Sequence, residues 1–323
     1  MRRSNKGTYL ILALICLIIL NIGSMTILFL RNIDIPVFNF KNIIREVFNI
    51  TEGEDENKMN DDDMSEQEID RAEDFIIINP IDNYENLIIV KDSKGKGSIG
   101  SIPESLNIEK IKIDKTKPYI FVYHTHATEG YIPFDDDTYY TENNDKNMIK
   151  IGDTLSKVLE ASGHNVQHST NQHDRPSYNQ SYSRSLKTIQ DAKIQEDNLK
   201  FFFDIHRDGI DKGAAYYESF LANSKTTIDG KEVATFSIVV GPDTPNYDKV
   251  LDFAKYIKIV ADVMYPDLCT KIIVKPYGKF NLYISDYAAL IEIGSNLNTL
   301  DQANETAKYV GEILDTVIRS IQE

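Results

Sequence analysis

Short apolar runs that favour strands alternate with longer amphipathic runs over most of the chain after residue 116. The short runs predict strands near 119–123, 165–169, 200–205, 235–240, 271–275 and 287–293. The longer runs predict helices over 146–162, 178–196, 246–264 and 300–320. Because a helix separates most successive strands, we expect an α/β domain with a mostly parallel sheet flanked by helices.

The segment 214–233 departs from this alternation. Its two halves, 214–221 and 226–233, have strand-like composition, and polar residues at 223–225 separate them. We therefore predict a β-hairpin inserted after the strand at 200–205, where it would form a wall of a substrate cleft.

An apolar segment at 9–30 is about as long as the 20 residues needed to span a bilayer. Arg2, Arg3 and Lys6 precede it. The positive-inside rule then predicts a cytoplasmic tail at 1–8, a single membrane anchor at 9–30 and an extracytoplasmic location for the rest of the chain. A cleaved signal peptide is the alternative, but the apolar segment is longer than the usual h-region and no A-x-A cleavage site is obvious.

Most of the formal net charge of −15 lies in one short segment. Residues 52–74 hold twelve acidic and two basic side chains, a local charge of −10. Such composition predicts a disordered linker, which we place at 31–74, before an accessory β segment at 75–115 and the main domain at 116–323. No basic stripe is present in the sequence, so nucleic acid is not an expected partner.

Metal-binding side chains follow one predicted strand directly. His126 and Glu129 come soon after the strand at 119–123, so an imidazole and a carboxylate lie three residues apart in a tight turn. Two histidines, a glutamate and an open water position form one type of catalytic zinc site. Open sheets collect functional groups at one edge, so we expect the third ligand from another strand end.

His206 and Glu292 are the candidates at other strands. His206 directly follows the apolar run at 200–205 and is the predicted third ligand. Glu292 interrupts an otherwise apolar strand, and a glutamate is rarely fully buried without a partner. It is therefore expected to face a cation or a cavity. Beside a zinc-bound water it would act as general base and then as general acid to the leaving amine.

Three motifs resemble those of the stage II sporulation protein P family: HTHATEGY at 124–131, DIHRD at 204–208 and LIEIG at 290–294. The segment SYSRSL at 181–186 and the pair Tyr265-Pro266 fit the same family, and the resemblance covers about 116–320. It implies an amidase-like, Zn²⁺-dependent peptidoglycan hydrolase similar to N-acetylmuramoyl-L-alanine amidases. It also implies endopeptidase cleavage of peptide cross-links, and engulfment during sporulation with sporulation proteins D and M as partners.

The resemblance places metal ligation on Glu129, His206 and either His126 or His124, with catalysis on Glu292. We take His126 as the ligand because its H-x-x-E spacing with Glu129 matches the metal turn of zinc carboxypeptidases. His124 is then a supporting residue or a substrate contact.

Three further polar residues are candidate contacts around the cleft. His173 follows the predicted strand at 165–169, and Arg184 and Arg207 would suit the carboxylates of a stem peptide. The alternative for the two arginines is structural ion pairing with Asp204 or Asp208. The alternative for the whole protein is a catalytically idle scaffold that binds cell wall or a partner and holds a structural metal. A structural zinc of that kind is closed by four protein ligands.

Overall fold

A computed structural model describes residues 106, 108–132 and 139–323 with their side chains, and the backbone of three short strands that precede them. The predicted tail at 1–8, membrane anchor at 9–30 and linker at 31–74 lie outside the described residues. Among the residues that are described, no helix combines the length and the apolar character needed to cross a membrane.

Seven strands form the central sheet, and four form two small antiparallel pairs. In chain order the described strands are β1 (Ile76–Ile78), β2 (Ile89–Lys91), β3 (Gly97–Ile99), β4 (Ile120–Tyr123), β5 (Val166–His168), β6 (Phe201–Asp208), β7 (Lys225–Ile228), β8 (Lys231–Ala234), β9 (Phe236–Val240), β10 (Cys269–Val274) and β11 (Ala288–Ser295). The central sheet has the order β1-β10-β9-β11-β6-β4-β5. The small pairs are β2 with β3 and β7 with β8.

Helices flank the sheet, and the four longest of those described lie close to their predicted positions. The helices are α1 (Met148–Ala161), α2 (Ser181–Gln195), α3 (Tyr217–Ala222), α4 (Tyr247–Met264) and α5 (Leu300–Ile321). The side chain of Asn147 caps α1 by accepting a hydrogen bond from the Ile149 N–H group. Thr299 and Gln302 form a capping box at the start of α5, which explains why that helix begins where the sequence predicts.

The sheet is mostly parallel, as predicted. Strands β11, β6, β4 and β5 run parallel to one another, and β9 runs parallel to β10. The two exceptions are the antiparallel pairs β9–β11 and β1–β10. Strand β9 is reversed because the connection from β6 returns through α3 and the β7–β8 hairpin, without a long crossover helix to the opposite edge.

The predicted β-hairpin is present, but its strands lie at different residues. The segment predicted as its first strand contains α3, and the hairpin is formed by β7 and β8. Its turn is Asp229-Gly230, with φ of 52° and 79°. Both values are left-handed, as a two-residue Asp-Gly hairpin turn requires. A short apolar run such as 214–221 does not by itself distinguish helix from strand, whereas the Asp-Gly pair marks the turn.

Strand β1 extends the central sheet at its β10 edge, with Ile76 opposite Val274. At the centre of the sheet all four residues of β4 are buried, as are seven of the eight residues of β6. Burial of successive residues means that both faces of these parallel strands are covered, so polar chemistry is confined to their ends.

Candidate active site

The predicted ligands and the predicted catalytic glutamate lie at the carboxyl-terminal edge of three neighbouring parallel strands. Glu292 of β11 is directly opposite His206 of β6 in the strand register. The turn that carries His126 and Glu129 follows β4, which is the other neighbour of β6. Parallel strands end at the same edge of a sheet, which is why residues so distant in sequence meet here.

Two buried carboxylates hold the turn after β4. Asp204 accepts hydrogen bonds from the Thr125 backbone N–H at 2.9 Å and from the Thr125 hydroxyl at 2.6 Å. Asp174 accepts the equivalent pair from Thr128, also at 2.9 and 2.6 Å. A carboxylate that receives two hydrogen bonds from one residue fixes both the backbone and the side chain. His126, between the two threonines, is therefore held in one orientation.

His126 is buried with neither ring nitrogen hydrogen-bonded to any residue that the structure describes. Its ring stacks on Tyr178, with centroids 4.2 Å apart and an interplanar angle of 3°. The edge of its ring meets His206 at a centroid separation of 5.2 Å. Burial, reinforced by the nearby His206, holds the pKa of His126 well below its usual range, so the ring is neutral. A neutral imidazole with a free nitrogen is the form that binds metal ions.

His206 lies between two carboxylates. Its Nδ1 is 3.8 Å from Glu129 Oε2, and its Nε2 is 2.9 Å from Asp204 Oδ1. The second contact is short but lacks hydrogen-bond geometry, so Nε2 has no hydrogen-bond partner within the described part of the chain. Burial lowers the pKa of His206, but the Asp204 carboxylate outweighs burial and raises the pKa to about 10.

The three predicted ligands are thus neighbours. His126 is neutral and has a nitrogen available for a cation, whereas His206, with its pKa of about 10, would have to release a proton before it could bind one. In the described residues, however, no group of three or more His, Cys, Asp or Glu side chains is arranged so that it could hold a metal ion. The side chains would have to converge further to share one ion.

Glu292 faces a cleft of about 410 Å³. Its Oε2 is buried and has no hydrogen-bond partner among the described residues. Burial raises the pKa of Glu292 to about 8, and the positive charge of His206 only partly offsets the effect of burial. This matches the expectation that Glu292 meets a cavity, and it leaves an acid that exchanges protons near neutral pH.

Both ring nitrogens of His124 form hydrogen bonds. Its Nδ1–H donates to the Ile205 carbonyl oxygen at 3.0 Å, so its Nε2 accepts the hydrogen bond from His168 Nε2–H at 2.9 Å. A carbonyl oxygen only accepts, which determines this assignment of protons. With both nitrogens engaged, His124 has no lone pair left for a metal ion.

Two other residues that were predicted to contact substrate, His173 and Arg184, form hydrogen bonds with backbone carbonyl oxygens. His173 Nδ1–H donates to the His124 carbonyl oxygen at 2.7 Å. Arg184 donates to the carbonyl oxygens of His173 and Ser177, close to Tyr178. These carbonyl oxygens hold the guanidinium of Arg184, in place of the ion pairs with Asp204 or Asp208 that the sequence offered as an alternative.

Arg207 is also buried and bound to backbone. Its side chain donates to the carbonyl oxygens of Gly130 at 2.7 Å, Tyr139 at 3.1 Å and Asp208 at 3.3 Å. Its backbone N–H donates to Glu129 Oε2 at 3.3 Å. It therefore positions the loop that carries Glu129. A contact between Arg207 and a substrate carboxylate stays a prediction.

The sequence interpretation did not assign Asp204 or Asp174 to the turn after β4, and it missed Tyr178. Asp204 interrupts an apolar strand just as Glu292 does, so the same signal was available for it. Tyr178 follows the cis Arg175–Pro176 bond in a loop, and no periodicity marks it. Its contact with His126 joins residues 52 positions apart.

Several solved structures are similar to this chain at low identity. The N-acetylmuramoyl-L-alanine amidase AmiC2 of Nostoc punctiforme is 12% identical with a TM-score of 0.40, and the match covers 64% of this chain and 97% of that one. The catalytic domain of the CD27L endolysin is 12% identical with a TM-score of 0.35, over 62% and 97% of the two chains. Likeness at these TM-scores is too weak to support a conclusion.

Sequence relatives are more informative. Stage II sporulation protein P of Bacillus subtilis (strain 168) is 28% identical over 212 residues, which are 61% of this chain and 50% of that protein. The match therefore spans half the length of that relative. The family model for stage II sporulation protein P matches residues 33–315, which is most of the sequence. The chain belongs to the stage II sporulation protein P family.

Proposed function

We propose that this protein is a zinc-dependent peptidoglycan hydrolase that cleaves the N-acetylmuramoyl-L-alanine amide bond during sporulation. The observation that carries the proposal is the buried His126 ring, whose two nitrogens have no hydrogen-bond partner among the described residues and which lies against His206. Buried polar atoms without partners are costly, and a bound Zn²⁺ would satisfy the nitrogen of His126 that carries the lone pair, because imidazole is one of its usual ligands.

His126, His206 and Glu129 would hold the ion. His124 is a poor fourth ligand, since both of its nitrogens already form hydrogen bonds. Three protein ligands leave one coordination position open, which favours a catalytic site over the closed structural metal of an idle scaffold. When bound, zinc would polarise the scissile carbonyl and lower the pKa of a water molecule.

Glu292 would transfer the proton between the attacking water and the leaving group. It lies beside His206 at the edge of the cleft, and its pKa of about 8 lets the same side chain take and return a proton near neutral pH. In the proposed reaction its carboxylate removes a proton from the attacking water and then delivers it to the leaving amide nitrogen.

The wider setting is also part of the proposal. Family membership supports peptidoglycan as substrate, peptide cross-links as a second target and sporulation proteins D and M as partners in engulfment. The sequence supports a membrane anchor at 9–30 with the catalytic domain outside the cell membrane.

The test is digestion of purified peptidoglycan by the full-length protein in a mild detergent, with and without Zn²⁺, with fragments identified by mass spectrometry. Wild-type protein should release stem peptides from glycan only with zinc, and Glu292→Gln should be at least about a hundredfold slower. Glu160→Gln, the same change at an exposed position of α1, is the matched control. Zinc binding without any release would favour the scaffold, and release without zinc would refute the metal mechanism.

A further inference from the structure

Serine, threonine and asparagine side chains make up much of the lining of the cleft beside Glu292. Charged groups of both signs border it as well, with the carboxyl groups of Glu292 and Asp208 and the ammonium groups of Lys271 and Lys275. Because both signs of charge are represented, formal charge does not select an anion or a cation. The volume of about 410 Å³ falls within the roughly 300–1,000 Å³ of sites that hold small ligands. A neutral polar ligand is therefore the best match to this cleft.

Three hydroxyl groups around the cleft donate their protons to backbone carbonyl oxygens. They belong to Ser224, Thr235 and Thr270, and the distances to the carbonyl oxygens are 2.8, 2.7 and 3.2 Å. A hydroxyl has one proton to donate and two lone pairs that accept. Toward a ligand, each of these three oxygens can therefore only accept a hydrogen bond. The cleft suits a ligand that brings several O–H or N–H donors.

Ser237 places a fourth hydroxyl next to the proposed catalytic residue. It lies on β9 directly opposite Glu292 of β11, and it borders the same cleft. Directly opposed residues share a face of the sheet, with Cβ atoms about 5 Å apart. No described residue accepts a hydrogen bond from the Ser237 hydroxyl, so this group can donate to a ligand as well as accept. A ligand that contacts Ser237 would adjoin the bond that Glu292 is proposed to cleave.

A sugar residue matches this chemistry better than a peptide does. An extended peptide brings one backbone N–H donor per residue and advances about 3.3 Å with each. A hexosamine instead carries several hydroxyl donors and an amide N–H around one ring. Its C–H groups can pack on apolar surface, which Phe220 and Ile273 supply in this cleft.

We propose that the cleft is a glycan subsite that holds an N-acetylhexosamine residue of the peptidoglycan strand. Ser237 would be its contact nearest to the cleaved bond, and the hydroxyls of Ser224, Thr235 and Thr270 would accept hydrogen bonds from the sugar. The position of that bond rests on the proposed function, whereas sugar binding does not require hydrolysis.

The test is saturation-transfer difference NMR with the full-length protein in a mild detergent and without added zinc. The probe is the tetramer of N-acetylglucosamine, which is neutral and carries no peptide. The comparison probe is a stem tetrapeptide without sugar. We expect wild-type protein to bind the tetramer, and Ser237→Ala to bind it about fivefold more weakly, the effect of one lost hydrogen bond.

Further variants separate the hydroxyl groups from the fold. Thr270→Val keeps the shape of the side chain but removes its acceptor, so it should also weaken sugar binding. Thr270→Ser keeps the acceptor and should bind the tetramer like wild type. Ser183→Ala, at an exposed position of α2, is the matched control for Ser237→Ala and should change nothing.

Two results would overturn the subsite. Wild-type protein that does not bind the tetramer has no glycan subsite, and binding of the stem tetrapeptide alone would assign the cleft to peptide. Sugar binding that is unchanged in both Ser237→Ala and Thr270→Val would place the sugar outside this cleft.

The two proposals can fail separately. A protein that binds the tetramer through Ser237 but releases nothing from peptidoglycan would refute the hydrolase and leave the subsite standing. A protein that digests peptidoglycan but does not bind the tetramer would refute the subsite alone.

Discussion

Glu292 lies directly opposite His206 across the β11–β6 strand pair, with its Oε2 buried and without a hydrogen-bond partner among the described residues. Burial raises the pKa of Glu292 to about 8 even though the charge of His206 acts in the other direction. A buried acid of this kind makes the fold less stable, and such costs are typical of functional sites.

Glu292→Gln should therefore stabilise the metal-free protein while removing its activity. The amide avoids burial of a charge, and we expect the free energy of unfolding at pH 8 to rise by about 1–3 kcal/mol. Urea denaturation measures the change, with Glu160→Gln as the exposed control that should differ little from wild type. A less stable Glu292→Gln protein would mean that this carboxylate has a structural partner.

Tyr178→Ala should weaken zinc binding. The ring of Tyr178 lies parallel to that of His126 and fixes its orientation. Loss of a residue that orients a metal ligand typically lowers affinity by about 10- to 100-fold. Competition with a chromophoric chelator measures the affinity. Tyr178→Phe keeps the stacked ring and should stay close to wild type, so equal effects of the two variants would argue against a role of stacking.

The His124–His168 pair should make the protein sensitive to mild acid. Burial lowers the pKa of His168 from 6.5 to about 4, although Asp153 opposes the shift. Between these values the unfolded chain binds a proton that the folded chain does not, so stability is lost as pH falls from 6.5 to 4. Part of the His168 ring is exposed to solvent, which weakens the effect of burial. We therefore expect His168 to account for a loss of only about 2 kcal/mol in the free energy of unfolding.

This pH dependence can be isolated with His168→Gln, whose side-chain amide can still donate to His124. Unfolding free energies measured by urea denaturation between pH 4 and 7 should show a shallower slope for the variant than for wild type. Identical slopes would show that His168 titrates normally in the folded protein.

Gly152→Ala should destabilise the fold, although alanine normally favours a helix over glycine. A Cβ atom at position 152 of α1 would lie 2.5 Å from the ring of His124 and 2.7 Å from His168 Nε2. Because His124 is fully buried, its ring has no room to move, and we expect a loss of about 2 kcal/mol. Gly213→Ala is the matched control, since its Cβ would have no neighbour within 4 Å. Thermal denaturation measures the stability of both variants. Equal melting temperatures would show that a Cβ atom at position 152 does not clash with the rings of His124 and His168.

Local sequence patterns predicted the strands and the four long helices to within a few residues, and they selected His126, Glu129, His206 and Glu292 for one sheet edge. The predictions of strands and helices succeed because periodicity and capping depend on short windows of chain. The roles of the four selected residues stay predictions. The hairpin strands were misplaced where a short apolar run was equally compatible with helix and strand.

Only the tertiary structure decided which histidine is available and what the arginines bind. The orientation of His124 depends on Ile205 and His168, which are distant in sequence and meet it through strand pairing. Arg207 binds carbonyl oxygens of a loop more than 60 residues away. The sequence by itself thus determined the elements, the family and the residues at the sheet edge. Their partners depend on contacts across strands, which no local pattern encodes.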